Sequence, residues 1–150
     1  MSFAEEDGVK NYSYKQRFDS IYIGFADKQN IWGDMLAEGF AHCFVMMKTK
    51  ENDWFVMDPT VEGLFPRIVR VKGDANYAEF VQRLNKIPIL KVKLPPRKKL
   101  MGIKPLLGVC TCVHFAKYMI GIKAAWCLTP KALYERLLAK HGAEIIRGIK

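Results

Sequence analysis

The chain has 150 residues, half of them apolar and 26% charged, enough for one packed domain and too few for two. That composition excludes a disordered chain. Its 24 basic residues against 15 acidic ones give a net charge of +9. Residues 1–75 carry 9 basic and 12 acidic side chains, whereas residues 76–150 carry 15 and 3. A half with that charge is expected to face something anionic: nucleic acid, lipid, a cell-wall polymer or an acidic protein.

Residues 1–18 read as a polar arm and residues 19–150 as one domain. The opening MSFAEEDGVKNYSYK has neither the basic n-region nor the apolar h-region of a signal peptide, so a cytoplasmic or virion-associated protein is expected. Asp19–Phe25 alternates as a strand. Asn30–Glu38 has the look of a short capped helix before Gly39. Two apolar runs, Ala41–Met47 and Trp54–Asp58, flank a charged turn at 48–53 and predict a β-hairpin, with Pro59 stopping the second strand. Arg67–Lys72 alternates again. Tyr77, Phe80, Val81 and Leu84 have helical spacing, and Ile87–Leu94 returns to strand character. The run Pro95-Pro96-Arg97-Lys98-Lys99 is a stiff basic loop.

The apolar stretch 100–122 is broken by Lys104, Pro105, His114 and Lys117, which argues for a buried segment rather than a membrane span. Within it, Thr111 or Cys112 opens a helix that Gly121 closes, with Cys112, Ala116, Met119 and Ile120 as its core stripe. Thr129-Pro130 starts the last helix, because threonine caps free N–H groups and proline suits the first helical position. Leu133, Leu137 and Leu138 face the core and Gly142 ends the helix. Strands first and helices after is an α+β pattern, here an antiparallel sheet packed against helices.

The four cysteines (Cys43, Cys110, Cys112, Cys127) are expected as thiols in a reducing compartment. Cys112 stands out, because a thiolate at a helix start is stabilised by free N–H groups and the positive end of the dipole. Cys110 precedes the helix and gains less. His42 begins a strand and by alternation shares a face with Phe44 and Met46. If that strand packs on the Cys112 helix, His42 can take the thiol proton, the arrangement of an activated nucleophile. Asp58, an acid closing an apolar run on the paired strand, needs a partner. An imidazole N–H would supply one, and an Asx turn after Pro59 is the alternative. His141 reads as a capping residue in the last helical turn. His114, two residues beyond Cys112, points to another face. A zinc site from His42-Cys43 and Cys110-x-Cys112-x-His114 has soft donors, but its spacing fits no common finger or ribbon. The constellation calls for no cofactor.

Taken together, Gly39-Phe-Ala-His42-Cys-Phe-Val, Trp54-Phe-Val-Met-Asp58-Pro, Cys112-Val-His-Phe-Ala-Lys-Tyr-Met-Ile-Gly-Ile122 and Leu128-Thr-Pro-Lys-Ala-Leu-Tyr-Glu-Arg-Leu137 resemble papain-like cysteine peptidase domains of the NlpC type. The likeness is to the circularly permuted form, often phage-encoded and shared in layout with lecithin retinol acyltransferase. Histidine precedes cysteine by 70 residues, the permuted order, and the resemblance spans residues 19–138. It implies a papain-like fold, Cys112 as nucleophile, His42 as general base, Asp58 as the residue orienting His42, and an oxyanion met by N–H groups at the start of the Cys112 helix. The acyltransferase relatives place Asn before the cysteine and an acid plus His after it, where this chain has Thr111 and Val113-His114. The expected activity is amide hydrolysis, on cell-wall peptides among other peptides, with lipid acyl transfer as a variant. The competing expectation is a catalytically silent binding or virion protein that uses its basic half. Lys86, Lys91, Lys93, Arg97, Lys98, Lys99 and Lys104, with no acid between them, would be its anion-facing run. Aromatics are not interleaved there, which weakens a stacking-based nucleic-acid reading.

Overall fold

The computed structural model describes residues 18–27, 39–60, 63–93, 111–124 and 126–147. The expected helix at 30–38, the Pro95–Lys99 loop, Cys110, Arg97, Lys98, Lys99, Lys104 and all of the arm but Phe18 lie outside them.

Six strands among the described residues make one sheet: β1 (Phe18–Ala26), β2 (His42–Thr49), β3 (Asp53–Thr60), β4 (Gly63–Arg70), β5 (Ile89–Val92) and β6 (Glu144–Ile145). Their order is β4-β3-β2-β1-β5-β6, and every neighbouring pair is antiparallel. Among the described residues three helices accompany the sheet: α1 (Tyr77–Asn85), α2 (Cys112–Met119) and α3 (Pro130–Lys140). The chain is therefore α+β, as the sequence pattern implied.

Alternation divides the sheet into two packed faces. Ile21, Ile23, Phe25, Cys43, Val45, Met47, Leu90 and Val92 form one cluster with Val113, Ala116, Leu133 and Leu137 of α2 and α3. On the other face Tyr22, Met46, Trp54, Val56 and Ile89 pack with Ala78 of α1. The central strand β1 is thus buried on both faces from Ser20 to Phe25, where one-sided alternation was expected. Phe44 lies directly opposite Gly24, and its ring fills the space a side chain there would take.

The hairpin turn is tighter than 48–53, because β2 runs on to Thr49 and β3 resumes at Asp53. Asn52 adopts a left-handed φ of 64° and donates from Nδ2 to the Gly73 carbonyl at 2.7 Å. Pro59 does not end β3, which continues to Thr60 with Pro59 opposite Leu64. The β2–β3 pairing runs only from Lys48↔Trp54 to Val45↔Met57, so the missing proline N–H is not demanded by β2. β4 begins at Gly63 rather than Arg67 and is a largely exposed edge. β6 carries no strand signal in the sequence. It forms as a two-residue pairing with β5 once α3 returns the chain there.

Both helix starts follow their sequence signals. The Thr111 side chain accepts from the His114 N–H, and the Thr129 side chain accepts from the Ala132 N–H with Pro130 directly after it. Gly142 lies just past α3 with φ +57°. The stripe expected on α2 is too narrow. Val113, Phe115, Ala116, Lys117 and Ile120 are buried, while Cys112 and Met119 are partly so. The helix is covered by the sheet on one side and by α3 and the 121–127 segment on others. Lys117, 7% exposed, donates through Nζ to the Ala124 and Cys127 carbonyls, each at 2.9 Å. No helix among the described residues is long and apolar enough to cross a membrane.

Candidate active site

The structure brings His42, Asp58 and Cys112 together at one end of the sheet, where β2 begins and β3 nears its end. His42 Nε2 lies 2.6 Å from Asp58 Oδ1, with the two side chains 16% and 25% exposed. The acid that closed an apolar run in the sequence therefore has its imidazole partner, and the ring's orientation is set from the Nε2 side.

Cys112, the first residue of α2, is hydrogen-bonded to the same imidazole. Strict alternation would put His42 across the sheet from α2, with Phe44 and Met46, which do lie on the α1 side. His42 escapes that rule because it is the first residue of its strand, paired only with Ala26 of β1.

Sequence reasoning missed one residue of the site. Cys43, fully buried in the core, faces α2, and both its thiol and its backbone N–H hydrogen-bond to Cys112. Strand alternation after His42 marked it only as a small core residue. No signal in the chain announces that the Cys112 helix would start against it.

The electrostatics follow from these contacts. The Cys112 thiol is pulled down to about 4, chiefly by the hydrogen bond from Cys43, then by the His42 hydrogen bond, the Cys43 N–H and the imidazolium charge. Together these outweigh the burial that pushes it up. Its place at a helix start adds a further pull of the same sign. Burial pushes the His42 pKa down, but its bonds to Cys112 and Asp58 prevail and the net direction is up. Cys43 moves well upward, mainly because its proton is held against the Cys112 thiolate, with burial second. These directions favour a Cys112 thiolate beside a His42 imidazolium, with the proton kept on Cys43.

The other candidates stand apart. His114 Nδ1 is 2.8 Å from Thr111 Oγ1, which ties the ring to its own helix cap, and burial and Lys117 lower its pKa. His141 is the residue just past α3, and its backbone N–H donates to the Leu137 carbonyl. Burial, Arg136 and Lys140 lower its pKa. Cys127 is buried near Lys117 and Arg136. Among the described residues no three His, Cys, Asp or Glu side chains converge as a metal-binding group. At its amino end α2 leaves the N–H groups of Cys112 and Val113 without intrahelical acceptors, while those of His114 and Phe115 go to Thr111. Such an arrangement can hold a thiolate, move a proton at the imidazole, and receive a developing oxyanion. No family model, curated protein or solved structure matches the chain.

Proposed function

We propose that this protein is a cysteine hydrolase, a peptidase or amidase acting on amide bonds, with a papain-like domain of the circularly permuted NlpC type. The observation that carries the reading is one imidazole held at 2.6 Å by Asp58 and interacting with the cysteine that opens α2. An ordinary core histidine needs neither partner. Cys112 Sγ attacks the carbonyl carbon, and the oxyanion is met by the Cys112 and Val113 N–H groups. His42 imidazolium then gives its proton to the leaving amine as the C–N bond breaks, leaving a thioester on Cys112. His42, now neutral, takes a proton from water, the hydroxide displaces the thiolate, and the acid product leaves. Asp58 orients the ring and supports the imidazolium through Nε2.

Cell-wall peptides are the substrate class that best suits the reading, since the basic second half of the chain can hold an anionic polymer. The same thioester passed to an acceptor other than water would make an acyltransferase. The test is the pH dependence of iodoacetamide labelling, mapped by mass spectrometry on wild type and His42→Ala. Cys112 should label fast below pH 7, far ahead of the other thiols, and its profile should move to higher pH in the variant. Four thiols that label slowly and alike would end the catalytic reading and leave anion binding by the basic half as the function to pursue.

A further inference from the structure

The hydrolytic cycle uses one thiol, yet two meet at the site. Cys43 takes no part in acyl transfer, lies wholly out of water, belongs to the core cluster against which Cys112 packs, and has Cys112 as its strongest electrostatic neighbour. Both are free thiols. We infer that Cys112 is also an oxidative modification site, at which a hydroperoxide converts the thiolate to a sulfenic acid that Cys43 resolves as an intramolecular disulfide. The inference shares the activated thiolate with the hydrolase reading and needs no hydrolysis.

The chemistry balances in two steps. Cys112 thiolate attacks one peroxide oxygen, the O–O bond breaks, and the departing hydroxide takes the His42 proton and leaves as water. Sulfur is oxidised and the peroxide reduced. Cys43 sulfur then attacks Cys112 sulfur, the S–O bond breaks, the S–S bond forms, and the hydroxide leaves with the Cys43 proton as a second water. In sum, two thiols and one hydrogen peroxide give a disulfide and two waters.

The site makes the second step follow from the first. In the resting state Cys43 is a poor nucleophile, because its proton is pinned against a neighbouring negative charge. Oxidation turns that charge into a neutral sulfenic acid, so the main restraint on Cys43 vanishes at the moment its sulfur is needed. The neutral His42 left by the first step is at hand to relay the Cys43 proton to the departing hydroxide. A bond to Cys43 also occupies the nucleophile, so the oxidised enzyme is switched off while Cys112 is shielded from sulfinic acid.

The folded wild-type protein is treated with hydrogen peroxide, digested without reductant and mapped, with iodoacetamide labelling read before and after dithiothreitol. A Cys43–Cys112 cross-linked peptide is expected, together with complete loss of Cys112 labelling that dithiothreitol restores in full. In Cys43→Ala the same loss should become irreversible, with two oxygens added at Cys112. A wild-type map showing Cys112 joined to Cys110 or Cys127, or oxidised to the sulfinic acid with no cross-link, overturns the inference. Full recovery of Cys43→Ala by dithiothreitol overturns it as well. Should Cys43→Ala not fold, the wild-type map decides. Amide substrates left uncleaved by a protein that still forms the cross-link would count against the hydrolase reading alone.

Discussion

Replacing Asp58 by asparagine keeps the side chain's shape and an acceptor oxygen but removes its charge. A hydrogen bond to a charged group is worth ~1.5–3 kcal/mol, about twice a neutral one. The pair is mostly withdrawn from water, at 16% and 25% exposure, so a surface-pair value is too small, and the residual exposure argues for the lower end. Losing the charge-assisted half then costs about 0.75 kcal/mol, which lowers the ratio of imidazolium to imidazole at His42 roughly three- to fourfold at any given pH. The sign is fixed. His42 is held above its ordinary value by Cys112 and Asp58, so Asp58→Asn shifts its titration to lower pH and the thiolate–imidazolium window closes earlier on its alkaline side. Histidine ring NMR reads this directly, since the protein has only three histidines. In wild type, His42 should titrate last as pH rises. His114 and His141, both lowered, should lose their protons first. Asp58→Asn should move His42 and leave the other two in place. An unmoved His42 signal, or one that titrates below the other two in wild type, refutes the triad argument.

Other perturbations test other contacts. Cys112 is held from 9.0 down to about 4, and a depressed acidic group stabilises the fold fully above its unfolded value and not at all below its folded one. His42, held above its ordinary 6.5, works the opposite way above that pH, so the gain should fall between about pH 4 and pH 6.5, and Cys112→Ala should flatten it in urea midpoints measured across that range. Lys117→Met strips the Ala124 and Cys127 carbonyls of their buried donor. At ~1–3 kcal/mol for each unsatisfied group, calorimetry should show Tm lowered by roughly 4 °C or more. Gly24→Ala drives a methyl into the Phe44 ring and should cost ~1–3 kcal/mol, part of which Phe44→Leu in the same chain recovers. Trp54→Ala empties a fully buried position and should cost ~3–5 kcal/mol in urea unfolding.

Much of this was legible in the residues. The hairpin could be read because its two apolar runs are local and its turn is charged. The helix starts could be read because Thr111, Thr129 and Pro130 act through their own neighbours. Asp58 stood out as an acid without a reason in an apolar run, and a partner one strand away was the simplest reason. What stayed hidden depends on long-range packing. The double burial of β1 comes from two layers of helices that no single strand pattern encodes. Pro59 reads as a stop until β2 is seen to leave β3 at Met57. Lys117 looked like an interruption in an apolar segment, and only the return of residues 124–127 supplies its acceptors. Cys43 is the clearest case. Alternation sends it and His42 to opposite faces, and it is the fraying of alternation at the strand's first residue that lets both touch one sulfur.

The order of the parts along the chain also sets the order in which the site exists. His42 and Asp58 lie 16 residues apart on one hairpin, so the base and its orienting acid are joined by a short loop closure. Cys112 follows 54 residues after Asp58, a delay of several seconds at a ribosomal pace of ~5–20 residues per second. A nascent chain thus carries the imidazole and its carboxylate partner well before it carries the sulfur. The low-pKa thiolate arises only when α2 docks on a sheet whose central strands have already emerged. Until then Cys112 is an ordinary, weakly reactive thiol, and the growing chain is spared a hot nucleophile during its own synthesis.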